Sequence, residues 1–468
     1  MKYHIIITIF GITGDLARKK LIPALYHICK GNLDEFSIIS VGQQAIDPEI
    51  ILEAARIFVE EINPTIWISF KQIFQYFQAD ITRSDDMNAL AEFIQKHEQL
   101  HIPVNKLFYF AVPSTVFGPA TILLARSGLL SGLNHIFGDE WIRVGYEKPF
   151  GHDIQSAHEL NQVIHSYLDE VQLFRIDHYL AKASIKNIRS LRFDNSVWEA
   201  VWSNQFIQQV HVVLNEVGGI AGRGGYYDNY GVIKDVVQNH ILQIITLIGM
   251  EAPTTWHGDE VQTRRYQLLE AVHCEDVIVG QYKGYTEEAG VKNNSVTPTF
   301  AMIRCNITTH RWNGVPFFIT TGKQLAKAEV AVHIKFKAPS NSIMTGNRTQ
   351  SSWLSLRFSP DPLYSFACNL DYSQKPELRK PAVFVCDYFK NLKTRNSQPY
   401  ETVFGDIITG KHKTSVRYDE IEKAWQIAQQ IEKSKNPPYL YEKGSEGPEA
   451  EIEQFAKKHD VCWWPGKF

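Results

Sequence analysis

Gly11-Ile-Thr-Gly-Asp-Leu-Ala-Arg-Lys-Lys-Leu21 stands directly after the apolar run Tyr3 to Phe10. That run is rich in β-branched residues (Ile5, Ile6, Ile7, Thr8, Ile9), which predicts a buried parallel strand. Gly11 and Gly14 let the backbone turn tightly and approach a ligand closely. A helix is predicted from about Asp15. Its free N–H groups and positive dipole end favour a phosphate. Strand, glycine turn and helix together have the shape of a dinucleotide-binding turn. The spacing is G-x-x-G, not G-x-G-x-x-G, so the stretch also fits a turn that binds no nucleotide.

The pattern continues outward from this turn. Strands are predicted at Tyr3 to Phe10, Phe36 to Gly42, Lys106 to Val112 and Trp141 to Glu147. Helical patterns lie between and after them, at Leu16 to Gly31, Pro48 to Glu61 and Ser156 to Leu168. Alternation of this kind implies a Rossmann-like, doubly wound parallel sheet, an α/β domain over about residues 1–180. Beyond residue 180 the pattern changes. A strand is expected at Phe206 to Val217 and a long buried helix at Tyr230 to Met250. Strand-like runs follow at Asp276 to Tyr282, Pro298 to Ile307, Val315 to Thr321, Val330 to Phe336, Ser352 to Phe358 and Tyr364 to Leu370, then a helix at Asp419 to Lys433. Runs of strands with few helices between them predict a large, mainly antiparallel sheet in an α+β domain over residues 181–468.

Composition narrows the class. A chain of 468 residues with 44% apolar residues can bury a large core without disulfides or metal. The net charge of −3 points to no nucleic-acid partner, so any anion has to be met by a local basic cluster. Cys29, Cys274, Cys305, Cys368, Cys386 and Cys462 form no C-x-x-C pair. This argues against a zinc site or a disulfide framework and suits a reducing, cytoplasmic compartment. The first residues mimic a signal peptide only superficially, since no small-residue cleavage site follows. No stretch reaches the ~18 uninterrupted apolar residues of a membrane helix.

Three further segments carry candidate chemistry. Glu147-Lys-Pro-Phe-Gly151 ends a predicted strand, where ligands of open α/β sheets bind. Pro149 restricts Lys148 to extended conformations. Arg175-Ile-Asp-His-Tyr-Leu-Ala-Lys182 gathers Asp177, His178, Tyr179 and Lys182. A phosphate dianion wants several converging donors, and His178 and Lys182 would share a face if helical. In the apolar helix Tyr230 to Met250, Asp235 and Gln238-Asn239-His240 are the polar exceptions. Asp235 and His240 lie roughly 140° apart on an ideal α-helix. They meet one ligand only if it spans that arc or the helix is irregular. Each segment also has a bland reading: a solvated strand-end lysine, a polar turn, a hydrogen-bonded core histidine.

Taken together, GxxGDLAxxK, EKPFG, RIDHYLxK, Gly222-Arg-Gly-Gly-Tyr-Tyr-Asp and Lys234-Asp-Val-Val-Gln-Asn-His240 resemble the glucose-6-phosphate dehydrogenase family in order and spacing. Arg311-Trp-x-Gly-Val-Pro-Phe317, Thr321-Gly-Lys323 and Pro399-Tyr-Glu401 agree, and the resemblance runs from Ile6 to about Ala450. It implies oxidation of glucose 6-phosphate at C1 to the lactone with hydride transfer to NADP or NAD, the first step of the oxidative pentose phosphate pathway. The alternative is a catalytically silent paralogue that binds sugar phosphate or nucleotide. By the resemblance, His240 is the general base and Asp177 orients it, as a carboxylate orients histidine in hydrolytic triads. His178, Tyr179 and Lys182 would hold the phosphate. Glu216, Asp235, Lys148 and Lys323 would hold sugar hydroxyls. Gly11, Thr13, Gly14, Asp15, Leu16, Lys20, Gln43, Gln44, Ala111, Pro113 and Lys148 would line the cofactor. It also implies a homodimer or homotetramer.

Two positions depart from the family pattern. The basic residue expected five positions after Lys323 is Ala328, with Lys327 one place earlier. On a strand that shift would turn the side chain to the other face; in a loop Lys327 keeps its reach. The Arg that NADP-using relatives carry three residues after Gly42 is Ala45 here. No acidic residue ends that strand in its place, which leaves NADP and NAD both open.

Overall fold

The β-branched run forms β1 (His4–Phe10), buried along its whole length. The structure is a computed structural model and describes residues 4–100, 103–130, 140–220, 222–256, 258–339, 351–370, 381–387, 390 and 397–464. Tyr3 lies outside them.

Contacts divide the chain into two units, Met1–Lys182 with Thr254–Gln262 and Ser397–Glu422, and Ala183–Pro253 with Thr263–Asn396 and Lys423–Phe468. A single boundary near residue 180 therefore describes only the first crossing of the chain.

In the first unit β1 is joined by β2 (Phe36–Gly42), β3 (Phe74–Gln78), β4 (Val104–Phe110), β5 (Ile142–Tyr146) and β6 (Leu173–Ile176). The order is β3-β2-β1-β4-β5-β6, all parallel. This is the strand order of a dinucleotide-binding sheet. The short strand Ser415–Val416 adds antiparallel to β6. β4 ends two residues before the predicted Val112, so Ala111 and Pro113 both lie past its end. The late helix Pro399–Thr409 also belongs here: Tyr400, Val403, Phe404 and Ile407 fill the core beside Leu25, Tyr26 and Tyr109. Arg143 donates to the carbonyls of Ile407 and Ile408, both at 2.7 Å, which satisfies the end of that helix.

The second unit holds β7 (Ile207–Asn215), β8 (Val272–Tyr282), β9 (Phe300–Ile307), β10 (Pro316–Gly322), β11 (Glu329–Phe336), β12 (Trp353–Ser359), β13 (Leu363–Cys368) and β14 (Ala382–Cys386). With Tyr439–Tyr441 they form one sheet, ordered β14-β13-β12-β11-β7-β10-β9-β8 and then 439–441. Pairing is antiparallel except β7 with β10 and β8 with 439–441. Cys274 and Cys305 are register partners on β8 and β9 and are joined by a disulfide. This corrects the expectation of no disulfide. The pairing follows from strand register between residues 31 apart in sequence, which local cysteine spacing does not reveal. No helix among the described residues is long and apolar enough to cross a membrane.

The helix expected at Tyr230 to Met250 is three pieces: Gly224–Val232, a π-helical stretch Ile233–Ile241, and Leu242–Gly249. Gly231 interrupts it at φ 63°, ψ 174°, a region essentially closed to other residues. A Cβ there would lie 3.1–3.3 Å from Thr297 and Pro298. Gly231→Ala is expected to cost about 1–3 kcal/mol, read as a lower Tm in a thermal scan. An unchanged Tm would show that the backbone relaxes freely at this point.

Candidate active site

The first unit presents its candidate residues just past the C-terminal ends of parallel strands, where open α/β sheets bind ligands. Gly11 leaves β1 at φ +87°, and a Cβ on it would lie 2.4 Å from the Ala111 carbonyl oxygen. Only glycine allows the ends of β1 and β4 to close this tightly. The helix starts at Asp15, with Thr13, Gly14 and Lys20 exposed around its first turns and Leu16 half-buried. Its turn Ala17–Leu21 is π-helical. Asp15 accepts from Arg18 at 2.5 Å and from Lys19 at 2.8 Å, so its carboxylate is engaged by its own helix. These two partners, Lys19 first, hold the Asp15 carboxyl below its ordinary value.

Past β2, Gln43 and Gln44 form an exposed bend and Ala45 follows, also exposed. Gln78 donates to the Gln43 carbonyl at 3.0 Å, and Tyr76 donates to that of Gln44. Asp80 follows β3, and its carboxyl is held below its ordinary value, by hydrogen bonds from Thr82 first and by the Gln43 side chain to a lesser extent. Asp80 escaped the sequence reading because β3 is short and mostly half-buried, with no apolar run to mark it.

Past β5, Lys148 follows the buried Glu147 and precedes a cis Pro149. Tyr109 donates to Glu147 at 2.5 Å. Burial pushes the Glu147 carboxyl up to about 7, against the lowering pull of hydrogen bonds from Tyr109 and Tyr400 and of the Lys148 charge.

Past β6 comes the cluster Asp177 to Lys182. It is a series of turns, and the next helix starts only at Ala183. The helix in which His178 and Lys182 would share a face is not formed, and turn geometry takes its place. Asp177 is buried and accepts from the Tyr179 backbone N–H at 2.9 Å. That tight turn brings the side chains together: Lys182 Nζ lies 3.5 Å from the Tyr179 ring centroid, and the His178 ring meets Tyr179 edge-on at 5.1 Å. The Tyr400 ring lies nearly parallel to that of His178, with centroids 6.1 Å apart. Glu147, Tyr109 and Tyr400 stand beside these candidate residues and are not singled out as site residues by the sequence. Tyr400 sits in a quoted motif, but nothing local says that its helix returns to this sheet.

In the second unit the parallel neighbours β7 and β10 end side by side. The Glu216 N–H donates to the Gly322 carbonyl at 2.9 Å, and the Leu325 N–H to that of Glu216 at 3.0 Å. Glu216 and Lys323 thereby face each other as an ion pair. Asp235 lies 3.8 Å from the same ammonium. Lys323 is 3% exposed, a buried cation met by two carboxylates. Lys327 is not in this group: it is 63% exposed, lies in a loop and pairs with Glu329 at 3.8 Å. The strand-face inversion feared for it does not arise.

Asp235 and His240 share the π-helical stretch. A π-turn closes its hydrogen bonds five residues apart instead of four. Positions i and i+5 thus come close to one face, so of the two cases set out for Asp235 and His240 the structure holds the irregular helix. Asn239 supports the widened turn by donating its side-chain amide to the Asp235 carbonyl at 3.1 Å. His240 is 4% exposed.

A family model described as glucose-6-phosphate dehydrogenase, NAD binding domain, matches residues 8–187, and one for the C-terminal domain matches 189–464. The chain is similar to the chloroplastic glucose-6-phosphate 1-dehydrogenase of Spinacia oleracea, at 32% identity over 98% of this chain and 83% of the relative. It is similar to the cytoplasmic glucose-6-phosphate 1-dehydrogenase 5 of Arabidopsis thaliana, at 31% over 98% and 93%. A solved glucose-6-phosphate dehydrogenase in complex with its substrate glucose-6-phosphate superposes with a TM-score of 0.87, at 29% identity and 99% coverage of both chains. Two domain models laid end to end over a 3-2-1-4-5-6 sheet and a mainly antiparallel one place this chain in the glucose-6-phosphate dehydrogenase family.

Proposed function

We propose that this chain oxidises glucose 6-phosphate at C1 to 6-phosphogluconolactone and passes the hydride to NAD(P)+. The observation that carries the reading is that every acid, base and sugar-contacting residue of the family pattern named above is present, with only the second phosphate cation displaced to Lys327. The glycine closure at Gly11 and the helix beginning at Asp15 fit a dinucleotide's pyrophosphate, with Thr13, Gly14 and Lys20 around it. The nicotinamide ring, when bound, supplies the hydride acceptor. His240 takes the proton of the C1 hydroxyl as the C1–H electron pair leaves, and the C1–O bond becomes the lactone carbonyl. Asp177 orients that imidazole and balances its positive charge. His178, Tyr179 and Lys182 grip the phosphate, assisted by Lys327. Glu216, Asp235, Lys148 and Lys323 read the sugar hydroxyls.

The chain assembles, in this reading, as a homodimer or homotetramer through the nine-stranded sheet. Support comes from edge strand β14, which exposes Val383, Phe384 and Val385. We place it in the cytoplasm, like its cytoplasmic relative.

Cofactor choice follows from the β2 turn. Ala45 cannot neutralise a 2′-phosphate. Arg18 and Lys19 are paired with Asp15, and Asp80 adds negative charge behind Gln43. The enzyme is therefore expected to accept NAD+ well, with kcat/KM for NADP+ exceeding that for NAD+ by no more than roughly a hundred-fold, if at all. Initial rates with glucose 6-phosphate and each nucleotide at fixed ionic strength test both readings. No turnover with either nucleotide would favour a silent binding paralogue. A larger NADP+ preference would mean that another cation holds the 2′-phosphate. Ala45→Arg should shift the ratio toward NADP+ by about 10- to 100-fold.

A further inference from the structure

The Gly222-Arg-Gly-Gly-Tyr-Tyr-Asp segment has no role in the reading above, yet it places one side chain against the sugar-reading cluster. Tyr227 is 1% exposed, and its ring centroid lies 5.3 Å from Lys323 Nζ. Its hydroxyl is buried and has no hydrogen-bond partner among the described residues. Burial, and then the charge of Asp235, push this phenol well above its ordinary value, so it stays neutral. The edge of Tyr285, with ring centroids 6.3 Å apart, holds the ring from another side.

Lys323 needs such a support. Its backbone is pinned: its N–H donates to Thr299 at 2.9 Å, and Tyr441 Oη donates to its carbonyl at 2.7 Å. The flexible stem beyond is not, and a buried ammonium is costly unless every side of it is met. Glu216 and Asp235 meet it with charge. An aromatic face within about 6 Å attracts a desolvated cation and fixes where it sits.

We propose that the ring face of Tyr227 is a positioning residue of the sugar site. It holds the Lys323 ammonium between Glu216 and Asp235, so that all three are set before the sugar arrives. The inference rests on the reading that these three residues meet sugar hydroxyls. The ring acts and the hydroxyl does not, which makes the proposal separable from a hydrogen-bonding role.

The test uses the full-length enzyme and steady-state kinetics with glucose 6-phosphate. Lys323→Ala is the benchmark and should raise KM. Tyr227→Leu should raise KM for glucose 6-phosphate by about 5- to 30-fold, the worth of a desolvated cation–π contact, with KM for the nucleotide unchanged. Tyr227→Phe should behave like the parent. In the Lys323→Ala background Tyr227→Leu should add nothing, since a double-mutant cycle isolates the pair. Should the leucine variant fold poorly, 3,4,5-trifluorophenylalanine at position 227 keeps the shape and weakens the ring face, and KM should rise again. If Lys323→Ala leaves KM unchanged, the reading of the sugar site fails. If it raises KM while Tyr227→Leu and the fluorinated ring do not, the inference fails alone. It also fails if Tyr227→Phe matches Tyr227→Leu, or if the two effects add in full.

Discussion

His240→Ala is expected to lower kcat by at least ~10²-fold, the low end for loss of a general base, with KM for glucose 6-phosphate little changed. The argument is chemical before it is structural. Hydride cannot leave C1 until the hydroxyl proton has a place to go. An imidazole, with an unperturbed pKa of about 6.5, accepts a proton near neutral pH and returns it to water. His240 is buried in a helix whose other inward residues are mostly apolar, and the carboxylate on the same stretch, Asp235, already faces the Lys323 ammonium at 3.8 Å. Asp177→Asn should also lower kcat, because an amide orients the ring less well and does not offset its positive charge. Pre-steady-state hydride transfer, followed by nucleotide absorbance, isolates the step. A His240→Ala enzyme with near-normal kcat would assign the base elsewhere.

Lys182→Ala should raise KM for glucose 6-phosphate ten-fold or more, since a charge-assisted contact is worth about 1.5–3 kcal/mol. With unphosphorylated glucose the same substitution should have little effect. The ammonium is held over the Tyr179 ring, 3.5 Å from its centroid, in a turn that also fixes His178. If these are the phosphate's donors, as proposed, they are ordered before the anion arrives, and removing one leaves the others in place. Equal losses with both sugars would mean that Lys182 serves the fold or the sugar ring, not the phosphate.

How much of this was legible depended on whether the signal was local. β1 announces itself as an unbroken β-branched run from Ile5 to Ile9, and β2 as a shorter one around Ile38, Ile39 and Val41, because a parallel strand is buried on both faces. β3 and β6 are short, five and four residues, and β3 is mostly half-buried; neither produces a run or an alternation to read. The π-helical stretch was illegible for another reason. Ile233, Val237, Ile244 and Ile248 satisfy an α-helical stripe equally well, and apolar spacing does not register one wide turn. Only the position of Asp235 relative to His240 hinted that an ordinary helix was inadequate. The Asp177 to Lys182 cluster was found by its composition, but its shape comes from the Asp177 turn, and Tyr400 reaches it by topology from more than two hundred residues away.

The helix Pro399–Thr409 and the strand Ser415–Val416 impose an order on the birth of this protein. A ribosome delivers Lys182 long before Ser397, and the roughly two hundred residues between them take on the order of 10–40 s at about 5–20 residues per second. Through that interval the nucleotide-binding unit lacks Tyr400, Val403, Phe404 and Ile407, and β6 is an unpaired edge. All eight strands β7 to β14 emerge before the gap is filled. The first half of the enzyme to be made is therefore among the last to be finished. A nascent chain stalled in the second half presents an open apolar wall and a bare strand edge, the features that chaperones hold and proteases find.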